Sequence, residues 1–367
     1  MSTENRTVFD RSDEFVAKVV AHPLLTTVFD EVRAITRNPA GTSLVLEVGP
    51  TGAGKTTMIT RLVRELREEA ASEMSQKPGM IPVIVVEARS PEEGMFHWGD
   101  FYLRFLKAAS EPMIEHKSLE GIDTESRKAQ KLTGTVSALR RAVESCIRHR
   151  ETKVIIIDEA QHLTKVPNAR RMHDQMDAIK SLASLSDALF VMVGTYELLP
   201  LLNRSGQLAR RTRCIHFPRY RLDRTEDRSV LRNIIAAFQE AMPFAKSTDL
   251  QQHFEYLYFG SLGCIGMLKN WLRRAVVHAL DRNKDSLELN DLEATVLSND
   301  SLLQIFREIQ DGEEHLERNA RCGDELRRML GLAAAASSVC EANGAESGRR
   351  RLVGERKPIR DPVGVKG

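Results

Sequence analysis

The sequence predicts an α/β fold, in which a parallel five-stranded sheet is sandwiched by helices and followed by a small all-helical domain. Five short runs rich in Val and Ile lie between residues 43 and 217, and three of them are continuously apolar. Continuous apolar runs are expected for strands that are covered on both faces. Segments with helical periodicity separate the runs, as in parallel sheets. No further strand pattern follows "FPRYRLDRTED".

The predicted strands are "SLVLEV" (43–48), "IPVIVVEA" (81–88), "KVIIID" (153–158), "ALFVMVG" (188–194) and "RCIHF" (213–217). After the first strand, apolar residues recur at three- and four-residue spacing, which predicts a helix with one buried stripe. The stripe contains Met58, Ile59, Leu62, Val63 and Leu66. The segment from about 96 to 150 is longer than a simple crossover, so we expect two helices and a polar loop there.

The second half of the chain is expected to be helical. One helix is marked by Ile265, Leu268, Leu272, Val276 and Leu280, and others are expected over 226–242 and 301–310. We therefore predict an N-terminal extension (1–20), an α/β nucleotide-binding domain (21–222), a helical lid domain (223–330) and a mobile basic tail (331–367).

Composition limits the possible functions. The chain has 53 Lys and Arg against 51 Asp and Glu, so any nucleic-acid binding must use a local basic patch. Aromatic residues make up only 5%, which argues against base-stacking platforms. Five cysteines without ligand-like spacing predict no disulfide framework or zinc site. The polar N-terminus and the lack of a run of ~18–20 apolar residues predict a cytoplasmic protein outside the membrane.

The first predicted strand leads into "GPTGAGKTT" (49–57), which fits the phosphate-binding pattern G-x-x-x-x-G-K-[ST] in its required strand–loop–helix context. Its glycines let backbone N–H groups wrap around phosphate, and the helix start adds positive potential. Lys55 would reach the β- and γ-phosphates, and the Thr56 hydroxyl would bind Mg²⁺. The predicted nucleotide contacts are Gly49, Pro50, Thr51, Gly52, Ala53, Gly54, Lys55, Thr56 and Thr57.

Two adjacent acids end the third predicted strand, in "VIIIDEAQHL" (154–163). Asp158 is expected to hold Mg²⁺, and Glu159 to polarise a water towards the γ-phosphate as general base. Mg²⁺ and the P-loop would offset the repulsion between the two carboxylates. Gln161 and His162 are expected at the start of the next helix, near the γ-phosphate or a subunit interface.

Four motifs occur in a fixed order: the P-loop, "IIIDEAQHL", "VMVGT" and "GQLARRTRCIHFPRY". Over about residues 20–280 they resemble the AAA+ ATPases of transposition, the TnsC/TniB family, which serve Tn-type and CRISPR-associated transposons. The P-loop alone is unspecific. The DEAQH form, with "GTYELLPLL" and "QLARR", is much more specific, although related secretion and replication ATPases share parts of it. The resemblance implies an AAA+ P-loop ATPase fold with a helical lid, using ATP and Mg²⁺.

The resemblance also implies further site residues. Thr195 fits sensor I, the polar group that orients the attacking water, although an ordinary strand-end threonine is the alternative. Arg211, with Arg210 as the alternate, fits the arginine finger that reaches a neighbouring subunit's nucleotide. Lys269, in "GSLGCIGMLKNWL" (260–272), lies where many AAA+ proteins have a sensor II arginine. Lysine lacks the guanidinium fork, and a plain surface lysine is the alternative.

Residues 204–224 contain seven arginines against one acid, Asp223. The resemblance implies that this run contains the finger and a subunit interface, and a solvated basic face is the alternative. Members of the family wrap duplex DNA through contacts between the second and third strands that do not read sequence. The candidate DNA contacts, for which a solvated charged loop is the alternative, are Lys107, Lys117, Arg127, Lys128 and Lys131.

The resemblance thus implies an ATP-dependent regulator of DNA transposition. It would assemble as a homo-oligomeric ring or filament on duplex DNA, recruit a transposase and a target-selection protein, and disassemble on hydrolysis. One alternative is a secretion- or replication-type AAA+ ATPase that acts on a protein partner. A nucleotide-gated scaffold with vestigial hydrolysis is another, against which the intact Asp158-Glu159 pair argues.

Overall fold

The fold is known from a computed structural model. It describes residues 15, 19–90, 96–114, 128–165, 177–183, 187–204, 210–244 and 249–332. Within these ranges, only the backbone is described for residues 128–134, 202–204, 319–320 and 324. The chain divides into two units, Met1–Glu317 and Arg318–Gly367. Everything that follows on the sheet, the clefts and the site concerns the first unit.

The sheet consists of β1 Leu44–Val48, β2 Val83–Glu87, β3 Val154–Asp158, β4 Leu189–Gly194 and β5 Thr212–His216. Their order across the sheet is β2-β3-β4-β1-β5, and every neighbouring pair is parallel. Each strand overlaps one of the five predicted runs, so the prediction of a parallel five-stranded sheet is confirmed. Because all strands point the same way, residues that follow strands gather at one end of the sheet, called here the carboxyl end. Residues that precede strands gather at the opposite, amino end.

Ten α-helices have defined bounds within the described residues. They are α1 Pro23–Arg37, α2 Lys55–Glu69, α3 Ala71–Gln76, α4 Trp98–Ala108, α5 Lys128–His149, α6 Thr225–Glu240, α7 Phe254–Ser261, α8 Ile265–Leu280, α9 Leu289–Glu293 and α10 Asn299–Met329. Shorter 3₁₀ helices span Ala160–Thr164, Tyr196–Arg204 and Leu250–His253. None of the described helices has the length and apolar character needed to cross a bilayer.

Alternate strand residues face two separate apolar layers, as the two-residue period of a strand requires. On one face, residues such as Leu46 pack with Phe105 of α4 and the apolar side of α5. On the other face, residues such as Val45 pack with Phe29 of α1 and Leu62 of α2. The predicted stripe on α2 therefore faces the sheet, with Met58, Ile59 and Leu62 fully buried.

The helical region after β5 has its own apolar cluster, in which Trp271 of α8 is almost completely buried. Helix α8 has the bounds that its five predicted apolar positions indicate. Helix α10 is much longer than the predicted 301–310. Beyond Ile309 the sequence is charged and contains Gly312, a weak helix former. That glycine lies against Tyr196, and an added Cβ would come within 2.1 Å of the tyrosine Cγ. Close packing against Tyr196 therefore explains why a glycine stands inside this helix.

Candidate active site

The P-loop, residues 49–57, connects β1 to α2 at the carboxyl end of the sheet. Gly52 and Gly54 have φ angles of 71° and 116°, in the left-handed region where a side chain would be strained. Gly54 also immediately precedes the first turn of α2. The unpaired N–H groups of that turn and the helix dipole favour an anion at this position. The local backbone therefore has the form of a phosphate site.

The side chain of Lys55 is already held inside this loop. Its Nζ donates to the carbonyl oxygens of Gly49 at 3.1 Å and Pro50 at 2.8 Å. Burial lowers the pKa of Lys55, while the nearby acidic side chains Glu47 and Glu159 oppose that shift. A bound phosphate would offer the ammonium group a charged acceptor in place of two neutral carbonyls, which is the stronger kind of hydrogen bond.

Thr56 and Asp158 face each other across the start of α2 and the end of β3. Thr56 Oγ1 lies 3.5 Å from Asp158 Oδ2, and Asp158 Oδ1 accepts from the Glu159 backbone N–H at 2.9 Å. Burial raises the pKa of Asp158, which the Glu159 hydrogen bond and Lys55 counteract. A hydroxyl and a carboxylate oxygen are the hard ligands that Mg²⁺ prefers, so Thr56 and Asp158 fit the role of holding a magnesium ion.

Glu159 is linked to the end of β4 through Gln161. Gln161 Nε2 donates to Glu159 Oε2 at 2.6 Å, and Gln161 Oε1 accepts from the Thr195 backbone N–H at 3.3 Å. Glu159 itself has a left-handed φ of 52°, which costs a non-glycine residue roughly 1 kcal/mol or more. Sequence reasoning placed Gln161 near the site but gave its side chain no role.

A cleft of about 340 Å³ joins these groups. Residues from the P-loop, the end of β3 and the end of β4 line it, namely Thr51, Gly52, Gly54, Lys55, Thr56, Thr57, Glu159, Gln161, Gly194 and Thr195. The predicted base, the predicted sensor I residue and the P-loop lysine are thus brought together. The assignment of catalytic roles to them remains a prediction.

Helix α8 closes the same cleft from the other side. The Gly266 backbone N–H donates to the Gly52 carbonyl at 2.7 Å, so the first turn of α8 touches the P-loop. Lys269 and Arg273 both line the cleft. The pKa of Lys269 is lowered by burial and then by the nearby charge of Arg273. Sequence reasoning missed Arg273, although its spacing of four residues from Lys269 puts both on one helix face.

Arg210 and Arg211 lie at the amino end of the sheet, directly before β5. The Arg211 carbonyl accepts from the Ser43 backbone N–H, next to the start of β1. With Asp187 and Arg213, the two arginines line an open cleft of about 670 Å³. The length of β1 separates this cleft from the P-loop, which is roughly 16 Å for five residues. Within one chain, the predicted finger and the predicted nucleotide site are on opposite ends of the sheet.

Two other arginines of the basic run 204–224 are paired with acids of the same chain. Arg219 is paired with Glu313 of α10, with Nε to Oε1 at 3.0 Å, and lies over the Phe306 ring. Its side chain is only 9% exposed. Arg221 pairs with Asp223, which is two residues away. Arg219 and Arg221 therefore have acidic partners in their own chain, and neither lines the cleft that contains Arg210 and Arg211.

The predicted DNA contacts are only partly described. Lys107 is exposed in the last turn of α4. Lys128 and Lys131 lie in α5, but their side chains are outside the described part, and Lys117 and Arg127 fall outside the described residues altogether. DNA binding through these residues stays a prediction.

Comparison with known proteins agrees with the geometry. Residues 39–202 match the family model described as "AAA domain", a segment that includes the P-loop and the Asp158-Glu159 pair. No curated protein matches the chain. The fold, the site and this match define an ATPase of AAA+ architecture.

Solved structures with a similar fold are distant in sequence. The ORC2 protein of Aeropyrum pernix, in ADPNP and ADP complexes, is 15% identical with a TM-score of 0.47, and the match covers 73% of this chain and 66% of that one. For Drosophila ORC bound to DNA the identity is 13%, the TM-score is 0.49, and coverage is 91% and 81%. A Walker-type ATPase of Pyrococcus abyssi has 15% identity, a TM-score of 0.44, and coverage of 80% and 75%.

Proposed function

We propose that this ATPase regulates DNA transposition by assembling on duplex DNA in its Mg²⁺-ATP state and leaving the DNA after hydrolysis. In the assembly, Arg211 of one subunit, with Arg210 beside it, would meet the γ-phosphate bound by the next subunit. Transposase and a target-selection protein would bind the assembled form. The resemblance of "IIIDEAQHL", "GTYELLPLL" and "QLARR" to the TnsC/TniB family supports the transposition part of this proposal.

The chemistry of the proposed cycle uses residues of both subunits. Lys55 and the P-loop N–H groups would bind the β- and γ-phosphates, while Thr56 and Asp158 would hold Mg²⁺. The magnesium ion supplies charge neutralisation between the phosphates. Glu159 would accept a proton from the attacking water, which Thr195 helps to orient. An arginine from the neighbour would stabilise charge on the transferred phosphoryl group.

One observation supports the assembly part: the predicted finger arginines and the P-loop occupy opposite ends of one sheet. Arg210 and Arg211 are exposed beside a wide cleft, and neither lines the cleft that contains Lys55 and Glu159. A head-to-tail contact would put the amino end of one subunit on the carboxyl end of the next. Heterologous contacts of this kind produce rings when they close and filaments when they do not.

A mixing experiment tests this directly. Lys55→Ala should lose ATP binding but keep a working arginine, and Arg211→Ala should keep ATP binding to the monomer but lack the arginine. Each variant alone should be nearly inactive. Mixed in equal amounts, they should recover about a quarter of wild-type ATPase activity, because a quarter of random head-to-tail contacts pair the two intact halves. If the mixture stays inactive, or Arg211→Ala loses monomer ATP binding, the trans arrangement is wrong.

Electron microscopy tests the DNA part. The protein with duplex DNA and a non-hydrolysable ATP analogue should form rings or helices on the DNA, and retention should fall steeply with added salt if phosphate contacts dominate. Assembly that needs ATP but ignores DNA would instead favour the alternative, a secretion- or replication-type AAA+ ATPase that acts on a protein partner.

A further inference from the structure

We infer that Gln161 is a positioning residue for hydrolysis, which fixes the carboxylate of Glu159 to the backbone of Thr195. The inference rests on the proposed role of Glu159 as general base. Gln161 follows Glu159 by two residues in the 3₁₀ helix Ala160–Thr164, and its side chain is almost fully buried, with 6% of the residue exposed. It occupies the space between the end of β3 and the end of β4.

The two partners of Gln161 fix the orientation of its amide group. The Thr195 backbone N–H can only donate, and the Glu159 carboxylate can only accept. The amide oxygen must therefore face Thr195 and the amide nitrogen must face Glu159, as the distances of 3.3 Å and 2.6 Å have it. In the reverse orientation, the amide N–H groups would face the Thr195 N–H, and the amide oxygen would face the Glu159 carboxylate. The amide of glutamine donates to one partner and accepts from the other without any change of protonation state.

The surrounding backbone is shaped for this contact. A Cβ added to Gly194 would come within 2.4 Å of Gln161 Oε1, so the last residue of β4 must be glycine for the amide to fit. The left-handed backbone of Glu159 turns its carboxylate towards the same amide. The bond to Gln161 engages Oε2 alone, which leaves Oε1 to accept a proton from a water.

This linkage ties the base to the strand end that carries Thr195. Thr195 and Glu159 line one cleft with Lys55, so any shift of the β4 end on nucleotide binding would move the base through a single buried side chain. Misplacement of a catalytic group by about 1 Å costs on the order of 100-fold in rate. Gln161 touches neither the P-loop glycines nor the magnesium ligands in any described hydrogen bond, so its effect should fall on turnover rather than on ATP binding.

The test compares Gln161→Met, which keeps the size and removes both hydrogen bonds, with Gln161→Glu, which keeps an acceptor for Thr195 but places a carboxylate against Glu159. Both should lower kcat by ~10- to 100-fold while KM for ATP changes less than about threefold. Gln239→Met is the matched control: Gln239 also accepts from a backbone N–H, that of Leu250, but lies on α6 away from the cleft. Its kcat should equal that of the wild type.

A double-mutant cycle separates positioning from a general loss of structure. In the Glu159→Gln background, Gln161→Met should change the residual kcat less than about twofold, because Gln161 acts through the group already removed. Equal losses in both backgrounds, or near wild-type kcat in Gln161→Met and Gln161→Glu, would overturn the inference. If Glu159→Gln alone hydrolyses ATP at the normal rate, the assignment of Glu159 as general base is wrong. If Glu159→Gln is inactive but the Gln161 variants have normal kcat, only the positioning role of Gln161 is wrong.

Discussion

The two ends of the sheet carry opposite kinds of polar chemistry. At the carboxyl end, Lys55 and Asp158 are half-buried among carboxylates, carbonyls and hydroxyls, and each has partners inside the chain. At the amino end, Arg210 and Arg211 are exposed beside a cleft whose lining includes one acid, Asp187. The carboxyl end is thus an internally balanced site that a phosphate and a metal ion can enter. The amino end presents positive charge that suits an acceptor outside its own chain.

The largest expected effect would disable chemistry at the carboxyl end and leave assembly intact. Glu159→Gln keeps the size of the side chain and the P-loop, but the amide cannot accept the proton of the attacking water. We expect kcat to fall ~10²- to 10⁴-fold, or about 3–5 kcal/mol, with ATP affinity kept. Assemblies on DNA should then persist, which sedimentation and electron microscopy would detect. Normal disassembly in this variant would mean that Glu159 is not the base.

Sequence alone predicts the carboxyl end better than the amino end, for a physical reason. Asp158 ends a predicted strand and Lys55 lies in the P-loop segment after another, and parallel strands bring such positions to one end of the sheet. Their neighbourhood therefore follows from local sequence and strand direction. The strand order β2-β3-β4-β1-β5 cannot be predicted from local sequence, because the pairing of strands depends on long-range packing. The distance of Arg211 from the P-loop of its own chain becomes evident only in the folded sheet.

Other features depend on side-chain contacts that local patterns do not contain. The role of Gln161 requires the end of β4 to lie beside β3, which residue spacing does not specify. Arg273 became a cleft residue because the first turn of α8 meets Gly52 of the P-loop. Glu47 lies within the predicted strand "SLVLEV" and is a fully buried carboxyl whose oxygens have no hydrogen-bond partner among the described residues.

The titration of Glu47 allows a second test at the carboxyl end, which measures how the free energy of unfolding changes with pH. Burial, followed by the smaller effect of Asp158, raises the pKa of Glu47 from 4.5 to about 8, against the attraction of Lys55. The folded chain therefore keeps a proton that the unfolded chain releases between these two pH values. Stability from this group is fully present below about pH 4.5, falls by about 1.4 kcal/mol per pH unit above it, and is lost once pH exceeds 8.

Glu47→Gln removes this titration while keeping the shape of the side chain. The variant should gain stability relative to the wild type as pH rises, by about 4 kcal/mol between pH 5 and pH 8, and no more above that. Urea unfolding across this pH range measures the difference. Glu255→Gln, on an exposed position of α7, is the control and should show no such trend. A difference that is constant with pH would show that Glu47 is ionised in the folded chain at neutral pH.

The smallest effect concerns the cations that α8 adds to the carboxyl end. Arg273→Ala and Lys269→Ala should each weaken ATP binding by ~5- to 10-fold, or about 1–1.4 kcal/mol, as expected for partly exposed charged contacts. Arg273 should matter more, because its fork can bind two phosphate oxygens at once. If the contact is to the γ-phosphate, ADP affinity should change less than ATP affinity. Titration with fluorescent ATP and ADP analogues measures both.

Arg274→Ala provides the matched control for this last test. Arg274 is next to Arg273 on α8, but its Nε donates to the Thr295 carbonyl at 3.1 Å, and it does not line the cleft. Equal losses for Arg273→Ala and Arg274→Ala would mean that the effect is one of overall charge. If neither Arg273→Ala nor Lys269→Ala weakens binding, Lys55 is the side-chain cation in this cleft that contacts the phosphates. Arginines at the amino end of a neighbouring subunit would then be the further source of positive charge for the γ-phosphate. The two ends would differ more clearly than the cleft lining indicates, because only the amino end would supply arginines to the nucleotide.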